Sequence, residues 1–287
     1  RKFSDIYIIF ILITNLRFFY SCRNFFKQYP KLKIALIDYD FLCPKSIILA
    51  LMSLNIKTVG AQERFIASFY NTQNVLIDDY FTPSNKMNNI IKKNRSIIAK
   101  NLIPVGLYRA DKLSISKKNN KKKIIVALGF QTENAFYTSK VEMLLNWKAS
   151  RLFLDDMYQL SKDLKDCKII IRLKNDTSYQ IPYFKKIIKK IESKKNIEID
   201  KKKETEHSYK ICSKADLIIS KHTSLADECI SRGIPVIFYD YTHNMKGMIK
   251  GAFNYDNSGM ISTNYIDMLI KTKNFISSNK SKINRKF

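Results

Sequence analysis

Cysteine is sparse and unpatterned in this chain. Cys22, Cys43, Cys167, Cys212 and Cys229 are odd in number, dispersed and without CxxC spacing. That argues against a disulfide frame or a zinc site and fits reduced thiols in a cytosolic protein. No apolar run approaches the ~20 residues of a bilayer span. The most apolar stretch, IYIIFILIT at 6–14, is followed by Asn15 and Arg17. It is expected to form a buried strand or core helix, with no membrane insertion. A signal peptide would place its charges before such a run and small residues after it, whereas FFYSCRNFF follows. A zinc knuckle, a basic helix and an aromatic-interleaved basic motif are all missing, so nucleic acid is not expected as a partner. No repeat of fixed short period is present. The chain opens on Arg1 without a hairpin-and-strand start, and an amino-terminal piece is expected to be missing.

Acids are few as well. Lys and Arg number 51 against 25 Asp and Glu, a formal net charge of +26. The lysines are spread almost everywhere, in company with Ile and Asn as AT-rich coding produces. Runs such as KKNNKKK (117–123) and DKKKE (200–204) read as solvated loops. A diffuse positive field of this kind favours anionic small substrates and suits peripheral contact with an anionic membrane. The 45% apolar and 26% charged fractions are those of a globular protein.

From residue 30 onward, short β-branched runs alternate with helical patterns. KIALIDY (33–39), KTVGAQ (57–62), NVLIDDYF (74–81) and NLIPVGLY (101–108) read as strands. Pro44 opens one helix, since proline fits a first turn where its missing N–H costs nothing. Ser84 is placed as the N-cap of another. KLSISKKNNKKK (112–123) breaks the rhythm and reads as a linker. Strand KIIVALGF (123–130), a helix over about 139–164, strand CKIIIRLK (167–174) and helix PYFKKIIKKIESK (182–194) follow. NIEID, HSYKICSKA, DLIIS, SLADECISRG and IPVIFYD complete the alternation. Nearly all-apolar strands must be covered on both faces, which points to parallel sheets of βαβ units. The expected fold is α/β, with two Rossmann-like parallel-sheet domains facing across a cleft: 1–112, incomplete at its start, a basic linker 113–122, and 123–287.

Seven glycines and three histidines serve the whole chain, yet His222, His243 and Gly233 all fall in SKHTSLADECISRGIPVIFYDYTHN (220–244). DLIIS ends at Ser220, so the polar knot Lys221-His222-Thr223-Ser224 sits at the carboxyl edge of a parallel sheet, where open α/β sheets bind ligands. Thr223 and Ser224 fall where an N-cap belongs, and Asp227 or Glu228 supplies the first-turn acid of a capping box. The same geometry presents backbone N–H groups to an anion, with Lys221 and His222 as further donors. Gly233 suits the C′ position of the helix.

On these residues a resemblance stands. ADECISRGIPVI resembles the E-A-x-A-x-G-x-P-V-I segment of nucleotide-sugar glycosyltransferases with the GT-B fold. PVIFYDYTHNMKGM is similar to capsule and teichoic-acid-type transferases, including CDP-glycerol glycerophosphotransferases, and IPVGLYRADKL (103–113) to the end of their first domain. The resemblance implies a transferase of surface-polysaccharide synthesis in which Glu228 binds ribose or sugar hydroxyls and Thr223 and Ser224 the donor phosphates. Many retaining members carry a second glutamate where this chain has Ser220, and teichoic-acid-type members an aspartate where it has Lys221.

Arg172 and Lys174 end a strand at the same edge and suit a diphosphate. Gly129 and Thr132 follow the first strand of the second half, where a glycine lets backbone approach a ligand. Glu63, after a strand of the first half, and His243, whose unperturbed pKa lies near neutrality, are the candidates for catalytic base. Asp38, Asp40, Asp78 and Asp79 are placed at strand ends, holding sugar hydroxyls or capping helices. No DxD pair stands where a metal-dependent transferase needs one, so neither metal nor resident cofactor is expected. The expected partners are a nucleotide-sugar or CDP-linked donor and a glycan or lipid-linked acceptor. The expected location is cytoplasmic, at or near the inner face of the membrane. A nucleotide-sugar 2-epimerase and a non-catalytic basic scaffold of the same fold are the alternatives.

Overall fold

The computed structural model describes residues 3–38, 40, 42–62, 75–93, 97–114, 122–129, 147–173, 181–202, 204–221, 223–240 and 259–277. The chain divides into two compact units, Arg1–Tyr108 and Arg109–Phe287. Leu113, placed by sequence in the linker, is fully buried in the core of the second unit, and 115–121 lie outside the described residues.

The first unit opens with α1 (Phe3–Lys27), followed by β1 (Ile34–Ile37), α2 (Lys45–Met52), β2 (Lys57–Ala61), β3 (Val75–Thr82), α3 (Asn85–Lys93) and β4 (Ile97–Pro104). The strands form one parallel sheet in the order β1-β2-β3-β4. Pro44 occupies the N-cap position of α2, and the Ser84 hydroxyl accepts the Met87 N–H at 3.1 Å, capping α3 as its sequence predicts. β4 begins four residues earlier than the NLIPVGLY pattern, because Ile97, Ile98 and Ala99 pair with β3 as well.

Two expectations are corrected here. The apolar run at 6–14 is neither a strand nor buried. It is the first half of α1, and every residue from Asp5 to Phe18 is exposed, Tyr7 at 67% and Phe10 at 66%. Thr14 and Asn15 do not end the helix, because their side chains donate back to the carbonyls of Phe10 and Ile11, both at 2.9 Å. The resulting stretch Asp5–Lys27 is long and apolar enough to cross a membrane. Second, Asp78 and Asp79 lie inside β3, not at its end. Asp78 accepts from the Thr58 amide and hydroxyl, both at 2.8 Å, and Asp79 pairs with Lys57 at 2.6 Å and Asn101 at 2.8 Å. Asp40 accepts the Tyr80 phenol at 2.5 Å. These carboxylates tie neighbouring strands together.

A 3-10 turn, Tyr108–Lys112, carries the chain from the first unit into the second. The second unit continues with β5 (Lys123–Gly129), α4 (Trp147–Asp163), β6 (Cys167–Leu173), α5 (Pro182–Glu192), β7 (Ile197–Asp200), α6 (Thr205–Lys214), β8 (Leu217–Ser220), α7 (Ser224–Ser231), β9 (Val236–Tyr239), β10 (Ile261–Ser262) and α8 (Tyr265–Ser277). Its six parallel strands lie in the order β10-β9-β8-β5-β6-β7. Both faces of the sheet are apolar: Ile125 and Ala127 of β5 join a core built with α4, α5 and α8. Val126 and Leu128 join one built with α6 and α7. That is period-two alternation on a sheet covered on both sides.

Candidate functional site

The strand order fixes where a ligand-binding crevice can open. The chain runs outward from β5 through β6 to β7, then returns to the other side of β5 and runs through β8, β9 and β10. The order reverses between β5 and β8, and the carboxyl ends of strands at such a reversal are where doubly wound sheets hold ligands. Leu128 pairs with Ser220 there, and the Lys221 amide continues the ladder to the Leu128 carbonyl at 3.2 Å. Lys221, Thr223 and Ser224 of the polar knot picked out in the sequence therefore stand at the switch point.

α7 leaves this edge with Thr223 at its N-cap, extended at φ −147° and ψ 148° but making no side-chain cap bond. The expected capping box does not form. Thr223 Oγ1 and Ser220 Oγ are both buried without a hydrogen-bond partner among the described residues. Ser224 is exposed. The Ala226 amide turns back to the Thr223 carbonyl at 3.0 Å, but no side chain caps the helix start, and its dipole adds positive potential there. Gly233 closes α7 at φ +73°, with the Ile234 amide returning to the Cys229 carbonyl at 2.9 Å. This is the C′ role expected of it.

Lys221 turns inward. It is 1% exposed, and its Nζ donates to Ser150 Oγ, in the first turn of α4, at 2.8 Å. Burial pushes its pKa down from 10.5 to about 7. Glu228, one helical turn into α7, is 4% exposed. Burial raises its pKa, against the pull of the Tyr209 hydrogen bond and of the charges on Arg109 and Lys112. The Tyr209 phenol, itself pushed up by burial and then by the Glu228 charge, donates to one side of the carboxylate. Glu228 Oε2 has no hydrogen-bond partner among the described residues.

The other candidates are placed differently. Gly129 ends β5 beside the knot, but a Cβ there would meet Leu173 Cδ2 at 2.6 Å, so its small size serves strand packing. Arg172 ends β6 at the same edge and is held by the chain. Its guanidinium donates to Asp200 at 3.0 Å, Ser208 at 3.0 Å, the Glu204 carbonyl at 3.3 Å and the Lys202 carbonyl. His207 joins the other Asp200 oxygen at 3.2 Å. Glu63, Thr132, Lys174, His222 and His243 lie outside the described residues. The structure thus brings together Gly129, Lys221, Thr223 and Ser224, with Glu228 one turn behind. Sequence reasoning missed Ser150, Tyr209 and the hydroxyl of Ser220. Only Ser220 left a signal, as the last residue of an apolar strand. No group of three or more His, Cys, Asp or Glu able to hold a metal ion occurs among the described residues.

No protein-family model and no curated protein sequence matches this chain. Solved structures do. The chain is similar to the UDP-GlcNAc 2-epimerase from Neisseria meningitidis, solved bound to UDP-GlcNAc. Identity is 15%, TM-score 0.61, and the match covers 95% of this chain and 75% of that one. It is similar to MurG of Acinetobacter baumannii at 14% identity and a TM-score of 0.54, covering 96% and 76%. The UDP-GlcNAc 2-epimerase from Methanocaldococcus jannaschii matches at 14% and 0.55, covering 94% and 80%. The fold is GT-B. In GT-B terms the second unit is the doubly wound half whose switch point lies at Gly129 and Ser220, and the first unit is the other parallel-sheet half.

Proposed function

We propose that this chain is a nucleotide-sugar-dependent glycosyltransferase, with its donor held by the second unit. The observation that carries the reading is the turn after β8. A helix start without a cap bond and the idle hydroxyls of Ser220 and Thr223 meet there at the sheet's switch point. The donor diphosphate is assigned to the start of α7 with Thr223 and Ser224, and the ribose or sugar hydroxyls to Glu228, whose Oε2 has no partner among the described residues. As the glycosidic bond to the nucleotide breaks, negative charge grows on the leaving phosphate, and the helix start meets it with fixed dipoles that need no reorganisation. Arg172 is assigned to holding the β6 edge, because four of its five N–H donors are taken by the chain. Glu63 and His243 stay as the proposed pair from which the base comes. A surface-polysaccharide acceptor, on a glycan or a lipid carrier, fits the exposed apolar α1. From Ile6 to Ile37 the sequence holds Arg17, Arg23, Lys27, Lys31 and Lys33 and no acid, a pattern suited to an anionic bilayer.

A thermal-shift panel of UDP-, GDP-, CDP- and CMP-linked donors tests the assignment. A true donor stabilises the fold by mass action, and no shift with any of them sinks the reading. The UDP-GlcNAc 2-epimerases among the structural neighbours motivate a second reading, epimerisation at C2. Product analysis with UDP-N-acetylglucosamine separates the two: an epimerase yields the 2-epimer without an acceptor, and a transferase does not.

A further inference from the structure

The two parallel sheets have four edges between them, and three are blunted. β4 carries Lys100 and Pro104, β7 carries Glu198 and Asp200, and β10 is two residues long. Charge, proline and shortness keep a free edge from pairing with another strand. β1, IALI, has no charge and no proline. Its four residues pair with β2 on one side, and no strand among the described residues pairs with the other. Ile34 is 60% and Leu36 76% exposed. The helix that leads into β1 is bare as well. α1 packs on α2, where Asn15 Oδ1 accepts the Ser46 hydroxyl at 3.3 Å, yet none of residues 5–27 is buried.

The second unit shows what such a helix and strand are built against. β8 is another short apolar strand preceded by a helix, and all four of its residues are buried, with β9 on one side and β5 on the other. α6, which leads into β8, packs on β5: Tyr209 and Cys212 share a core with Val126 and Leu128. Right-handed crossovers set a helix over its sheet in this way. α1 leads into β1 as α6 leads into β8, but no strand among the described residues takes the place of β5. A run apolar on every side, as IYIIFILI at 6–13 is, belongs under cover. A second copy of the chain would set Arg17, Arg23, Lys27, Lys31 and Lys33 against their own counterparts. A bilayer offers no hydrogen-bond partners to a strand edge. A strand of polypeptide satisfies both the edge and the helix.

We propose that the free edge of β1 and the bare α1 before it form the docking surface for a further parallel strand of the same polypeptide, one that leads into α1. That strand, α1 and β1 then make a βαβ unit, β1 becomes an interior strand and Leu36 is covered. The flank of α1 turned away from the sheet stays open to the bilayer contact proposed above. The inference is independent of the donor site.

Amide hydrogen exchange and thermal unfolding test it on two proteins, the 287-residue chain and the polypeptide isolated from its source cells. The isolated polypeptide is expected to carry residues before Arg1 and to slow the free-side amides of β1 about 100-fold or more relative to the 287-residue chain. Leu36→Lys, made in both, is expected to leave the Tm of the 287-residue chain within about 2 °C, as an exposed site does, and to lower that of the longer polypeptide by about 5 °C or more. The exchange comparison decides the matter even if the longer variant fails to fold. An isolated polypeptide with nothing before Arg1 overturns the proposal. So does a longer one whose β1 exchange matches that of the 287-residue chain. Protection of β1 in the 287-residue chain that grows with protein concentration gives the edge to a second copy, and protection only on anionic vesicles gives it to a bilayer; either result overturns the proposal.

Discussion

Single residues carry the chemistry here, and burial sets what each can do. Glu228 is a buried carboxyl with a raised pKa, so its charged form is penalised in the fold at any pH above its unfolded value. Glu228→Gln removes that penalty and keeps an acceptor for Tyr209. Its Tm at neutral pH should equal or exceed the wild type's, while the donor-dependent Tm rise disappears. A variant that keeps the rise would remove Glu228 from the donor site. Gly60 is a packing position: an added Cβ would meet the Ile37 carbonyl oxygen at 2.9 Å and Ile77 Cδ1 at 2.6 Å. Gly60→Ala should cost about 1–3 kcal/mol in urea unfolding, the usual range for overpacking. Sequence could nominate Glu228 and Gly129, because their spacing from Gly233 and from a strand end is visible in one dimension. It could not separate a glycine that admits a ligand from one that admits Leu173.

At the scale of elements, α1 and α2 make a contrast. Both are apolar helices of the first unit, but Ile48 of α2 is fully buried and Ile9 of α1 is 55% exposed. Ile48→Ala should lose about 2–5 kcal/mol of stability, as a cavity in a packed core does. Ile9→Lys should stay within about 0.5 kcal/mol, as exposed sites do. A large loss at Ile9, measured by chemical denaturation, would mean that α1 is packed in solution. Helices and strands were legible here because their periods and caps are local: Ser84, Pro182 and Gly233 all sit where their backbone preferences place them. The burial of α1 was not legible, since a run of Ile, Phe and Leu reads alike in a core and on a surface.

For the whole molecule, the +26 charge dominates. Surface lysines repel one another across distances that physiological salt screens, with a Debye length of about 8 Å. The Tm should therefore rise from low to physiological ionic strength; a flat or falling profile would mean that this repulsion does not limit stability. The alternation of strands and helices, the parallel sheets, the two-part division and the carboxyl-edge position of Ser220, Lys221, Thr223 and Ser224 follow from hydrophobic period and turn chemistry. Those are properties of short windows, and the chain states them directly. The strand order, and with it the switch point at Gly129 and Ser220, depends on pairing between segments about ninety residues apart. The inward turn of Lys221 onto Ser150 spans 71 residues and the closure of Arg172 on Asp200 spans 28. A window of sequence holds no record of such contacts, because each is settled by which distant side chains share the same low-dielectric space.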